Sequence, residues 1–147
     1  PDFLESGEPP VYIGWGSMNM LIPNHLSGPL AVRALMLSKR RGVVLGSYTE
    51  LDASALASEK GKDKEALLEY AKENILFIKW APHEVLMPKC SVIVHHGGNG
   101  TTAASLRSGK PTVVTPVIVD QFYWGNQVER LGVGVRTKEA LIKHLGT

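Results

Sequence analysis

The run His95-His96-Gly97-Gly98-Asn99-Gly100-Thr101-Thr102 gathers, within eight positions, the residue types that handle phosphate. Glycines let the main chain approach phosphate oxygens, the N–H groups of a first helical turn have no intrahelical acceptors, and the helix dipole favours an anion there. A diphosphate is expected to dock on this turn, with the Thr101 and Thr102 hydroxyls as further donors. His96 stands where an imidazole hydrogen-bonds the same group and steadies the charge that grows as a nucleotide departs. It is the candidate catalytic residue. Two other readings stay open at this point. The run can be a plain strand-to-helix turn carrying two ordinary polar histidines. Alternatively, Gly98-x-Gly100-x-x-Ala103 matches the dinucleotide fingerprint, with Asp120 about 20 residues on, where a ribose-binding acid is expected. In that fingerprint the acid directly ends a strand, whereas here the strand stops near Pro116 and leaves Asp120 at the tip of a loop, which weighs against NAD.

Three further loops carry candidates. Trp80-Ala81-Pro82-His83 follows an apolar run, and Pro82 suits the first turn of a short helix. Trp80 offers a flat face for a base, a contact worth about 1–3 kcal/mol, and the main chain of Ala81 can read the edge of a uracil; the bland alternative is a core or rim tryptophan. Asp120-Gln121 can accept from and donate to several sugar hydroxyls, although Asp120 also has a complete structural explanation as a helix N-cap. Gly14-Trp15-Gly16-Ser17-Met18 gives another backbone-exposed turn, with Ser17 placed to touch a phosphate or to cap the next segment.

Those loops need a scaffold that brings them to one edge. Short apolar runs alternate with helix-like segments, the pattern of an α/β, Rossmann-like open parallel sheet with helices on both faces. Strands are expected at Val11 to Trp15, Val43 to Tyr48, Ile75 to Lys79, Val92 to His95, Thr112 to Pro116 and Val133 to Arg136. Leu30, Ala34 and Leu37 fall at i, i+4, i+7, as do Trp124, Val128 and Leu131, each marking an apolar helix stripe. Gly42, Gly109 and Gly132 each follow a helix-like run, where a left-handed cap is needed. Leu51 to Glu65 lacks a firm period and reads as a loose helix or solvated excursion. In such a sheet ligands bind beyond the carboxyl ends of the strands, and every candidate loop lies there.

Composition limits the alternatives. With 147 residues, the chain is one domain in size. Its 44% hydrophobic and 20% charged content fits a folded globular unit. The 16 basic and 14 acidic residues are interspersed, so the net charge of +2 does not imply nucleic acid. Cys90 is the lone cysteine and has no nearby base, so it is read as a small buried hydrophobe. With no internal disulfide and no apolar run of about 18 residues, a cytoplasmic protein is expected. His25 is read as a solvated loop residue and His144 as surface. Trp124 is assigned to the core, which leaves Phe122 and Tyr123 as open candidates for an acceptor wall. The chain opens on Pro1 and ends after a helix-like run, so it is expected to be part of a larger protein.

Taken together, the order G-x-G-S, W-A-P-H, H-H-G-G-x-G-T-T and D-Q resembles the carboxyl-terminal, donor-binding domain of GT-B glycosyltransferases over Val11 to about Arg136. From His95 to Gly134 it is most similar to sterol 3-beta-glucosyltransferases and to bacterial relatives that glycosylate macrolide and glycopeptide antibiotics. The resemblance implies that Trp80 stacks on uracil, Ala81 meets its edge and His83 lies by the ribose. It implies that Ser17, His96, Gly98, Asn99, Gly100 and Thr101 surround the diphosphate and that Asp120 and Gln121 hold glucose. Plant members usually carry Gln where His83 stands and Glu where Ala104 stands, so the ribose contacts transfer least securely. No D-x-D occurs in the sequence, which implies a metal-independent site with no cofactor and UDP-glucose as the donor substrate. The resemblance further implies inverting transfer to a sterol or similar lipophilic hydroxyl. The base and acceptor pocket would lie on an amino-terminal domain, the fragment alone would be inactive, and the full-length protein would sit at the membrane periphery. Two other assignments remain: the donor subunit of a two-chain UDP-N-acetylglucosamine transferase acting on a dolichol-linked lipid, and a non-catalytic nucleotide-binding module.

Overall fold

A computed structural model describes residues 2–46, 56 and 63–140. Six strands, β1 Val11–Gly14, β2 Gly42–Leu45, β3 Ile75–Ile78, β4 Val92–His95, β5 Thr112–Val114 and β6 Gly134–Arg136, form one sheet in the order β3-β2-β1-β4-β5-β6. All neighbours run parallel, with Val11 of β1 opposite both Gly42 of β2 and Val92 of β4. The chain winds outward from β1 in one direction, then returns to β4 and winds outward in the other. The crevice between β1 and β4 is therefore the topological switch point, where open α/β sheets bind ligands.

A parallel strand covered on both faces must be apolar at every position, and β1 and β2 are buried throughout. One face packs Val11, Ile13 and Val44 against Ala31, Val32 and Leu35 of helix α2 (Asn24–Ser38) and Leu67 and Ala71 of α3 (Asp63–Asn74). The opposite face packs Tyr12, Val43, Leu45 and Ile93 against Leu86 of α4 (His83–Leu86) and Ala104 of α5 (Asn99–Arg107). Helix α6 (Asp120–Arg130) lies beside α5, and a short helix, α1 (Asp2–Glu5), precedes β1. None of the helices among the described residues is long and apolar enough to cross a membrane.

Several boundaries differ from the sequence expectation. β1 stops at Gly14 because Trp15, at φ −103° and ψ 5°, has left the extended region to open a 3-10 turn over Gly16–Met20. β3 and β5 likewise end before Lys79 and Thr115, and β6 starts at Gly134. Ser47 and Tyr48, most of Leu51 to Glu65, and His144 lie outside the described residues. Only part of the expected stripe Leu30, Ala34, Leu37 faces the core: Leu30 is half-buried against it, whereas Ala34 is exposed and Leu37 81% exposed, and Leu35 occupies the core in Leu37's place. Gly42 explains this, since a Cβ there would lie 2.3 Å from Cδ1 of Leu35. The bare backbone leaves a hollow that Leu35 fills. Gly42 is thus a strand residue, and the left-handed cap of α2 is Lys39, at φ 54°. Gly109 and Gly132 do take positive φ, at 70° and 68°. On α6, Val128 is buried and Trp124 half-buried, while Leu131 lies beyond the helix end and is exposed. His25 stands in the first turn of α2, exposed, and not in a loop.

Candidate functional site

His95, the last residue of β4, and His96 after it left two readings open in the sequence, a diphosphate contact at His96 or two ordinary polar loop residues; both are buried, His95 fully, which sets the polar-loop reading aside. Alternation puts His95 on the same face as Ile93, beside Gly14 of β1. Its Nδ1 accepts the Gly97 N–H at 3.0 Å, so a neutral ring carries its proton on Nε2, which has no partner among the described residues. Burial, with His96 and His83 nearby, lowers the His95 pKa to about 3. His96 lies between the two halves of the switch point. A Cβ on Gly16 would meet its Cε1 at 3.0 Å, and one on Gly98 would meet its Nε2 at 2.3 Å. Burial lowers its pKa to about 4, opposed by the Asp120 carboxylate and reinforced by His83. Its Nδ1 is also buried without a partner among the described residues. One imidazole thus connects the loop after β1, the loop after β4 and the start of α6.

The turn beyond His96 is built for close approach. Gly97 takes φ +90°, and a Cβ there would strike Val114 Cγ1 at 2.7 Å and the Gln121 carbonyl at 2.9 Å. Gly98 caps α5 in an extended conformation with no side-chain hydrogen bond to the helix, so the first amides of α5 keep their capacity for an outside acceptor. Asn99 and Gly100 are exposed, nothing lies within 4 Å of where a Gly100 Cβ would be, and Thr101 is half-buried. Thr102, in contrast, is buried, its hydroxyl without a partner among the described residues.

At the β1 end, Ser17 is exposed in the 3-10 turn and makes no capping bond. Buried Trp15 holds this turn in place. Its Nε1 donates to Thr115 Oγ1 at 3.0 Å, and that hydroxyl donates to the His95 carbonyl at 3.2 Å. The link ties β1 to the ends of β4 and β5, and it was not foreseen because tryptophan in an apolar run reads as filler.

Trp80, just past β3, is 73% exposed, which excludes the core reading for it. Ala81 is half-buried, and Pro82 at φ −63° caps α4. His83 opens α4 half-buried, its pKa lowered by burial against the opposing pull of Glu84. Tyr12, read from sequence only as strand, places its hydroxyl 3.0 Å from His83 Nε2.

Asp120 is the first residue of α6 and exposed, while Val119 holds the capping position at φ 44°. The N-cap explanation of Asp120 therefore falls away, and its carboxylate is left facing outward. Gln121 is buried: its Oε1 accepts from the Val117 and Ile118 N–H groups at 2.7 and 3.0 Å. That oxygen is committed to the loop, and only the amide N–H₂ remains for a ligand. Phe122 is half-buried and Tyr123 exposed, the latter edge-on to Trp124 at 5.1 Å. Cys90 is buried, its thiol pushed up to about 11 by burial. Among the described residues no cluster of His, Cys, Asp and Glu has metal-binding geometry. An apolar groove of about 750 Å³ runs along the α2 face between Leu30, Leu35, Val92 and Val94, and Trp15 and Thr115 line it too.

Residues 42–143 match the family described as erythromycin biosynthesis protein CIII-like, C-terminal domain. A sterol 3-beta-glucosyltransferase of Arabidopsis thaliana is 37% identical over 132 residues, covering 90% of the chain and 19% of the relative. One from Saccharomyces cerevisiae is 38% identical over 133 residues, covering 90% of the chain and 10% of the relative. The structure of Os79 from O. sativa, in complex with UDP and deoxynivalenol-3-glucoside, superposes with a TM-score of 0.69 at 19% identity, over 93% of the chain and 30% of Os79. The chain thus spans about a fifth or less of the length of these two curated relatives.

Proposed function

The chain belongs to the erythromycin biosynthesis protein CIII-like, C-terminal domain family of GT-B glycosyltransferases, and from that premise we propose that it binds UDP-glucose for inverting transfer to a sterol or similar lipophilic hydroxyl. The observation that carries this reading is His96, pressed between Gly16 and Gly98 at the β1/β4 crevice with a buried, unpartnered ring nitrogen and Asp120 close enough to perturb it. Uracil stacks on exposed Trp80, the diphosphate lies across Ser17, Gly98, Asn99, Gly100 and Thr101, and Asp120 with the Gln121 amide holds the hexose.

In the reaction an acceptor hydroxyl, deprotonated by a base, attacks the anomeric carbon from the face opposite UDP. The bond between that carbon and the diphosphate oxygen breaks, and negative charge collects on the departing phosphate. With its pKa lowered to about 4, His96 is neutral at pH 7 and acts as an N–H donor to that charge. The α5 amides and helix dipole take the part that a divalent cation plays elsewhere. The sterol acceptor is suggested by the names of the plant and yeast relatives. Because the chain covers only part of those proteins, we assign the base and acceptor pocket to a preceding domain.

Calorimetric titration with UDP, UDP-glucose, UDP-N-acetylglucosamine and NAD tests the donor. Preference for UDP-glucose is expected, and a preference for NAD would end the transferase reading. Glucosylation of sterols should require the acceptor-binding half; turnover by this chain alone would refute the division of labour.

A further inference from the structure

The Tyr12 side chain leaves β1 across Gly14 and reaches α4. A Cβ on Gly14 would lie 2.7 Å from the Tyr12 hydroxyl, so the bare backbone of Gly14 keeps that path open. At its end the hydroxyl meets His83 Nε2 at 3.0 Å, with the two rings edge-to-face at 5.9 Å and 84°. Tyr12 is only 2% exposed, and His83 is the one hydrogen-bond partner of its phenol among the described residues. That decides the direction of the bond. If Nε2–H donated to the phenol oxygen, the phenol hydrogen would be buried with no acceptor, the costly arrangement. The phenol therefore donates and Nε2 accepts. Burial keeps both partners neutral, pushing the phenol up and the imidazole down, and a neutral ring that accepts at Nε2 carries its proton on Nδ1.

We propose that Tyr12 is a positioning residue that fixes His83 in the Nδ1–H tautomer, so that the ring presents one N–H donor to a ribose hydroxyl oxygen of the bound nucleotide. The ribose assignment rests on the donor-site reading above, in which the family resemblance implies that His83 lies by the ribose. The tautomer assignment rests only on the buried phenol. Tyr12 itself touches no ligand and acts through the ring it holds.

Long-range proton–nitrogen correlation spectra of the ¹⁵N-labelled chain read the tautomer directly, without ligand. The expected result is Nδ1–H for His83 in the wild type and a shift toward Nε2–H in Tyr12→Phe, with the remaining spectrum and Tm little changed. Gly14→Ala, which crowds the phenol while keeping it, should move the tautomer the same way. An Nε2–H wild type, or a Tyr12→Phe variant with an unchanged tautomer, overturns the proposal. In calorimetry, Tyr12→Phe should weaken UDP about 3- to 10-fold and leave 2′,3′-dideoxyuridine diphosphate unaffected. In a His83→Ala background it should add nothing, the non-additivity expected of residues acting through one contact. A tautomer that switches with no loss of UDP affinity overturns the ribose assignment. A wild type that fails to bind UDP sinks the donor-site reading instead, while the spectra still judge Tyr12.

Discussion

Gly100→Ala separates the folding role of the turn after β4 from its binding role, because the two effects have opposite signs. Gly100 is the second residue of α5 and exposed, and nothing stands within 4 Å of the position its Cβ would take. Alanine in a helix is favoured over glycine by about 0.5–1 kcal/mol. For a domain of this size each kcal/mol moves Tm by about 2–4 °C, so the variant should melt about 1–4 °C higher. If the diphosphate rests against the main chain at the start of α5, the added methyl falls between ligand and backbone. A methylene forced into a filled contact costs about 1–3 kcal/mol, equivalent to about 5- to 150-fold in Kd. Differential scanning fluorimetry and calorimetric titration with UDP, run on the same preparation, read both. A higher Tm with undiminished UDP affinity would refute the phosphate cradle, because no loss of fold could then be blamed.

Other expectations follow from the same geometry. Gly97→Ala should do the opposite to the fold: positive φ and contacts of 2.7 and 2.9 Å together cost about 2–5 kcal/mol, measurable as a lower urea midpoint, and an unchanged midpoint would show that the turn can relax. Trp80→Ala should leave stability within about 0.5 kcal/mol yet weaken uridine and UDP alike by about 5- to 150-fold, whereas His96→Ala should weaken UDP far more than uridine; equal losses for His96→Ala would mean that the diphosphate is not its target. The pair His95 and His96 also predicts acid sensitivity. Both folded pKa values, about 3 and about 4, lie below the unfolded value near 6.5, so their neutral burial costs nothing above about pH 6.5 and destabilises progressively below it. By pH 5 the pair should remove about 3–4 kcal/mol, read as a drop in urea midpoint that His95→Gln partly flattens; equal pH dependence in that variant would place the sensitivity elsewhere.

The parallel sheet was legible because strands buried on both faces leave uninterrupted apolar runs such as Val11 to Ile13 and Val43 to Leu45. The glycine turn was legible because only glycine tolerates what Gly97 must do. What escaped were relations between distant residues. Nothing near Tyr12 in sequence announces His83, and nothing near Trp15 announces Thr115. The face of α2 was misread in part because Leu30, Ala34 and Leu37 make as regular a stripe as the true one; Leu30 does pack on the core, and the hollow at Gly42 on another element selects Leu35 over Leu37. Asp120 and Gln121 look like equals in sequence, yet one is exposed and the other is spent largely on Val117 and Ile118. Periodicity reports which elements exist; it does not report what lies opposite them.

The β1/β4 pairing has a kinetic corollary. Val11 and Val92 sit side by side though about eighty residues separate them, so this seam is among the slowest contacts to find during folding and carries a large loop-closure entropy. A molecule that grips Gly16 on one side and Gly98 on the other acts as a clasp across that late-formed joint. Ligand added to a refolding or thermally stressed sample should therefore protect the amides of Gly14 and His95 from hydrogen exchange more than those of β3 or β6, by an amount set by its concentration relative to Kd.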